Sequence, residues 1–260
     1  MLEDAPKEIG MIYAILAVVI LGYLLYRGKL NSKLGYLFLV ISATLGFLIF
    51  APMLPNQMQV LLTGKTKQLD VPVAIAGLVL GVFVMLTLLL GRAFCGYVCP
   101  IGAVQELLYR VKTRKVKIVN KVVPAGFRLL LLTAFVILAV VFTEGLLAYL
   151  GLKDFFHLEV RGYFYVFLGL VIIGVFIYRP FCRLLCPYGA ILSLVSGKSR
   201  FKLRRTDECI DCGECEKACP TNEAGENVRK QECYLCNRCR NACPVDAIVY
   251  VRKPMKEIQQ

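Results

Sequence analysis

The chain has 260 residues, 58% of them hydrophobic, a mean hydropathy of +0.64 and a formal net charge of +13. Few soluble folds of this length tolerate so apolar a composition, which points to a membrane protein. No groove-binding motif accompanies the positive charge, which excludes a nucleic-acid partner, and no Rossmann or P-loop glycine pattern supports nucleotide chemistry.

Five apolar runs, residues 9–26, 35–54, 71–90, 126–143 and 163–178, are long enough to be read as transmembrane helices, a bilayer core needing about 20 residues. The first has Glu3, Asp4 and Glu8 against Lys7 before it and no small-x-small pattern after Tyr26. It is therefore expected to be a retained helix and not a signal peptide. Seventeen lysines and arginines lie in the segments on one side of these runs and five on the other. That bias predicts a multi-pass protein of the cell membrane with its N-terminus outside and its C-terminal region cytoplasmic. No ionisable residue sits in the middle of a run, which argues against proton or ion pumping by this chain alone.

The third run ends in RAFCGYVCPIGA (residues 92–103) and the fifth in RPFCRLLCPYGA (residues 179–190). The offset is 87 residues throughout and seven of twelve positions are identical. Such self-similarity marks a duplicated unit. Each copy is expected to be a helical hairpin carrying C-x3-C-P on the cytoplasmic face, with a rough two-fold along the membrane normal bringing the copies together. Cysteines four apart on a helix face the same way. Proline suits the first turn of a helix, which places Cys99 and Cys186 at helix N-termini. The helices that follow are amphipathic, with Ile101, Val104, Leu108 and Val111 recurring at helical spacing, and are expected along the membrane interface. The stretch RVKTRKVKIVNK after the first is either a basic edge meeting anionic headgroups or a solvated loop. Cys95, Cys99, Cys182 and Cys186 together offer four thiolates. A third iron–sulfur cluster, a redox-active or metal-accepting thiol site, and simple packing all remain open for them.

From about Gly197 charges of both signs alternate and eight cysteines fall within 35 residues. The chain thus divides into a transmembrane domain, residues 1–196, and a small cytoplasmic domain, residues 197–260. The latter holds CIDCGECEKACP and CYLCNRCRNACP, both C-x2-C-x2-C-x3-C-P. Thiolate is the soft, anionic ligand that iron–sulfur clusters need. A structural zinc site has no use for the triple spacing, and a reducing compartment disfavours disulfides. One histidine, His157, and no C-x-x-C-H leave no bis-histidine or c-type haem within this chain.

The two quartets resemble the bacterial two-cluster ferredoxin, in which the fourth cysteine of each run ligates the other cluster. The resemblance implies one [4Fe-4S] cluster on Cys209, Cys212, Cys215 and Cys243 and another on Cys233, Cys236, Cys239 and Cys219, within a small α+β domain. Twelve residues, TNEAGENVRKQE with the proline before them, lengthen the connection between the runs. With the two C-x3-C-P motifs and the outer stretch LPNQMQVLLTG, residues 35–250 resemble the membrane polyferredoxins of the NapH, NosR and CcoG type. That family implies electron transfer between the quinone pool or a membrane redox complex and a redox protein partner, as the electron-transfer subunit of a quinol dehydrogenase or related oxidoreductase. The alternative is an assembly or maturation factor that reduces a metal or thiol for a respiratory enzyme. A quinone, where bound, is expected near Gln105, Glu106 and Tyr109 and not beside His157 in the outer loop.

Overall fold

The computed structural model describes residues 5–50, 54–63, 73–118, 122–141, 146–160, 162–225 and 228–252. The chain is mostly helical: α1 (Ala5–Tyr26), α2 (Ser32–Ile49), α3 (Leu54–Thr63) and α4 (Val73–Leu90) precede the first cysteine pair. A π-helical turn (Phe94–Val98) and α5 (Pro100–Tyr109) follow. Then come α6 (Val122–Val141), α7 (Leu146–Tyr149), α8 (Leu152–Phe156), α9 (Gly162–Phe176), a second π-helical turn (Phe181–Leu185) and α10 (Pro187–Ser196). The C-terminal part holds β1 (Phe201–Arg205), α11 (Glu214–Ala218), α12 (Arg238–Asn241) and β2 (Ile248–Arg252).

Two helices are long and apolar enough to cross a membrane, over Ile9–Tyr26 and Ser32–Ile49. The apolar stretches Ala76–Leu90, Gly126–Ala139 and Gly162–Phe176 are shorter. Expected spans three and four begin or end in residues 71–72 and 142–143, which lie outside the described residues. Many large apolar side chains on these helices point outward, among them Ile12, Leu16, Leu48, Leu78, Leu130 and Ile172.

The duplication is visible in the packing. The helix after each π turn packs on the first helix of its own copy and on the last helix of the other: α5 on α2 and α9, α10 on α6 and α4. A stripe of small residues on α2, Gly35, Ser42, Ala43 and Gly46, faces inward and lets its neighbours come close. Helix α1 lies outside the repeat and touches α2, the first π turn and β2.

The C-terminal sheet has two antiparallel strands, with Leu203 opposite Tyr250. Its inward aromatics tie it to the helices: the Tyr250 hydroxyl donates to the Leu90 carbonyl at 2.6 Å, and Phe201 meets Tyr26 edge-on. The backbone N–H of Arg200 donates to the Leu88 carbonyl at 2.8 Å. The basic stretch after α5 runs back along α9, with Val116 bridged to Ile177 and the Lys115 ammonium on the Val175 carbonyl.

Candidate metal centre

Both C-x3-C-P motifs fold alike, and their proline explains how. In a continuing α-helix, Pro100 would leave the carbonyl four residues back unbonded and press its ring against it. The chain widens by one residue instead. The N–H of Cys99 donates to the Phe94 carbonyl, and that of Cys186 to the Phe181 carbonyl, each at 2.9 Å. A new helix then starts with proline in its first turn and cysteine as N-cap. The backbone N–H of Gly189 donates to the Cys186 sulfur at 3.2 Å. The pairs thus stand on π turns, where sequence spacing alone suggests α-helix.

The structure gathers the twelve cysteines, all free, into three groups of four. Cys209, Cys212, Cys215 and Cys243 line one cavity, here site A. Cys219, Cys233, Cys236 and Cys239 line a second, site B. Cys95, Cys99, Cys182 and Cys186 line a third, site C, between the two π turns. Arg205 and Ile248 border both A and B. Among the described residues no three Cys, His, Asp or Glu side chains group as a single-ion site would require. The four thiols of each cavity are the soft, anionic donor set that an iron–sulfur group takes.

Site C is deeply buried, its cysteines being 6–8% exposed. As bare thiols three of them resist ionisation: burial pushes Cys182 up to about 12 although Arg179 and Arg92 pull it down. Burial likewise drives Cys99 and Cys186 well above the ordinary thiol range. Positive charge surrounds them. Arg92 and Arg179, equivalent in the repeat, are fully buried, and Arg128 and Arg183 nearly so. Each of the matched pair reaches into the other copy. Arg179 donates to the carbonyls of Cys95 and Gly96 and to Glu106 at 2.9 Å. Arg92 donates to the Gly189 carbonyl at 3.4 Å and to Glu232 at 3.2 Å. Four buried arginines face two carboxylates here, an excess of positive charge that four thiolates around a cluster complement.

The acids also mirror one another. Glu106 belongs to α5 and binds Arg179 and, at 2.6 Å, Arg238 of the C-terminal part. Position 193 is its repeat equivalent, and Ser193 donates to Glu232 at 2.9 Å. Glu232, beside Cys233, also takes Arg128 at 2.7 Å and Arg183 at 3.6 Å. Burial raises both carboxyls, but the arginines outweigh it, so Glu106 and Glu232 sit below the usual carboxylate range.

In the sequence Arg92 and Arg179 stand out as matched positions of the repeat and, with Arg183, as loop cations, but with no role at the cysteines; Arg128 does not stand out. Their signal was their place, directly before or within the cysteine motifs or near the start of an apolar run. Gln105, Glu106 and Tyr109 are buried against these motifs: Oε1 of Gln105 accepts from the Phe181 N–H at 3.2 Å, and its Nε2 lies 3.9 Å from the Cys182 sulfur. These polar residues therefore share the inner face of α5 with Ile101, while Val111, just beyond its end, is exposed. His157 lines none of the three cavities, its ring 5.1 Å from that of Phe50.

A 4Fe-4S binding domain family matches residues 72–118 and 163–206, one match on each copy of the repeat, and a second family of the same description matches residues 204–222. The chain thus carries segments similar to 4Fe-4S binding domains, in both copies of the repeat and at the start of the C-terminal part. Its similarity extends to the NapH/NosR-type membrane polyferredoxins, as three relatives illustrate. The putative electron transport protein YccM of Escherichia coli K12 is 35% identical over 60% of this chain and 49% of its own length. The methylamine utilization ferredoxin-type protein MauN of Methylobacillus flagellatus is 27% identical over 50% of this chain and 48% of its own. The regulatory protein NosR of Pseudomonas aeruginosa is 32% identical over 51% of this chain and 21% of its own. The chain spans about half the length of the curated relatives it matches. No solved structure matches it.

Proposed function

We propose that this protein is a membrane-embedded electron carrier with three [4Fe-4S] clusters, held at sites A, B and C by the four cysteines that line each. The observation that carries the reading is site C: four buried thiols from two copies of one motif, enclosed by buried arginines. A bound [4Fe-4S] cluster supplies a one-electron couple there. The arginines stabilise the anionic thiolate set, and the backbone N–H of Gly189 donates to one of its sulfurs. Five helices span the bilayer in this reading, supported by their outward apolar side chains, and residues 197–260 form a cytoplasmic domain on the face richer in lysine and arginine. Cys212 is exposed, so site A is the end open to a redox protein partner, and site C the end toward the membrane and its quinone pool or a membrane redox complex. Reduction of a client metal or thiol at site C is the weaker reading, because a client has no access to thiols this buried.

The test is iron and acid-labile sulfide content with EPR on the reduced, full-length protein. About twelve irons per chain are expected, four per cluster. Cys95→Ser and Cys182→Ser should each remove the same four, and the double variant no more, because ligands of one site act as a unit. About eight irons in the unaltered protein, with neither serine change altering them, would overturn the third cluster.

A further inference from the structure

Within the repeat, the two copies differ where the C-terminal part arrives. Position 96 is glycine in the first copy, and its equivalent in the second is Arg183. A Cβ on Gly96 would collide with the Tyr234 carbonyl oxygen. Beside it, the Tyr97 hydroxyl donates to the Leu235 carbonyl at 3.1 Å, while the equivalent Leu184 has no such group. The loop of site B therefore rests backbone to backbone on the first π turn, one residue from Cys95. Tyr234 itself stands between Cys233 and the Leu235–Cys236 pair and lines site B. Its ring is fully buried, and both repeat-related arginines lie over it, the Arg92 guanidinium carbon at 4.2 Å from the ring centre and that of Arg179 at 4.8 Å. Arg92 in turn lines site C with Cys95 and Cys182.

We infer that Tyr234, held by Arg92 and Arg179 and seated on Gly96, is the bridge through which an electron passes between sites B and C. This rests on the proposed clusters at those two sites. One electron leaves one four-thiolate site and arrives at the other; no bond forms or breaks and no proton moves. The chain's own contribution is a path of packed atoms: an aromatic ring joined covalently to one site's ligand loop and pressed on the cation that walls the other. The Tyr234 hydroxyl has no hydrogen-bond partner among the described residues. The bridge therefore needs the ring and not the hydroxyl, and Tyr234 is a positioning residue, not one that reacts.

The experiment uses the full-length protein in nanodiscs, reduced by rapid mixing with dithionite and followed by freeze-quench EPR, with iron content measured on every sample. Tyr234→Leu should keep its iron, slow equilibration between sites B and C by an order of magnitude or more, and weaken their spin–spin interaction. Tyr234→Phe should match the unaltered protein in all three. Gly96→Ala, which pushes the loop off the turn, should resemble Tyr234→Leu. Equilibration at the unaltered rate in iron-replete Tyr234→Leu overturns the proposal, and so does a Tyr234→Phe protein as slow as the leucine variant, because the hydroxyl would then be the working group. If leucine costs iron, Gly96→Ala and Tyr234→Phe decide the matter, since their expected outcomes are opposite. Absence of site C iron from the unaltered protein instead overturns the function on which the bridge depends.

Discussion

Glu106 is a single carboxylate on which three guanidiniums converge: Arg179 at 2.9 Å, Arg238 at 2.6 Å and Arg110 at 3.7 Å. Removing one partner of a buried ion pair strands the other, at a cost of about 3–5 kcal/mol. Arg179 keeps its two carbonyls and the rings of Tyr178 and Tyr234, so Glu106→Gln should destabilise by the lower end of that range, measured as a lowered denaturation midpoint in detergent. The sign with pH follows from the depressed carboxyl. Its contribution is fully present above the ordinary glutamate value of about 4.3 and is lost as pH falls through the lower folded value. The gap between the two proteins should therefore be flat from neutrality to about pH 5 and close only in stronger acid. A gap that closes above pH 5 would contradict this. None of this geometry is legible from the chain alone. Periodicity tells which face of α5 is apolar, but a polar residue that meets its partner 73 positions later looks the same as one that meets water.

At the scale of elements, the sequence is informative where spacing is chemistry. The quartets, the repeat and the prolines that place Cys99 and Cys186 as N-caps are all readable, because metal ligation and helix starts leave fixed intervals. The π turns are not, since cysteines four apart satisfy an α-helix equally well and only the backbone reveals the extra residue. Neither is the ease with which the turns are disturbed. A Cβ on Gly102 would stand 2.5 Å from the Cys95 carbonyl oxygen, whereas one on Gly189 would stand 3.1 Å from that of Cys182. The first contact cannot persist and the second needs only a small adjustment. Gly102→Ala should therefore lose most site C iron and Gly189→Ala little. Equal loss in both, measured by metal analysis of the purified variants, would show that the copies respond alike.

Across the whole molecule, Glu232 joins the two parts. It is the one carboxylate that Arg92, Arg128 and Arg183 share among the described contacts, and it comes from the loop that carries Cys233. Asn237, whose amide donates to the Leu30 carbonyl at 3.1 Å, and Asn241, on Ser32 at 3.0 Å, add neutral contacts on the other side. Glu232→Gln should therefore loosen the docking without unfolding either part. Amide hydrogen exchange should rise in residues 230–237 and 92–98 while the α11 and β1–β2 segments stay protected. Unchanged exchange at residues 92–98 would mean that the backbone contact at Gly96 suffices.

That shared carboxylate also imposes an order in time. Arg92 leaves the ribosome 140 residues before Glu232, an interval of roughly 7–28 s at a synthesis rate of about 5–20 residues per second. Through that interval the newborn helices carry guanidiniums whose acid does not yet exist. A chain that stops before residue 232 therefore leaves Arg92, Arg128 and Arg183 without the carboxylate that they share.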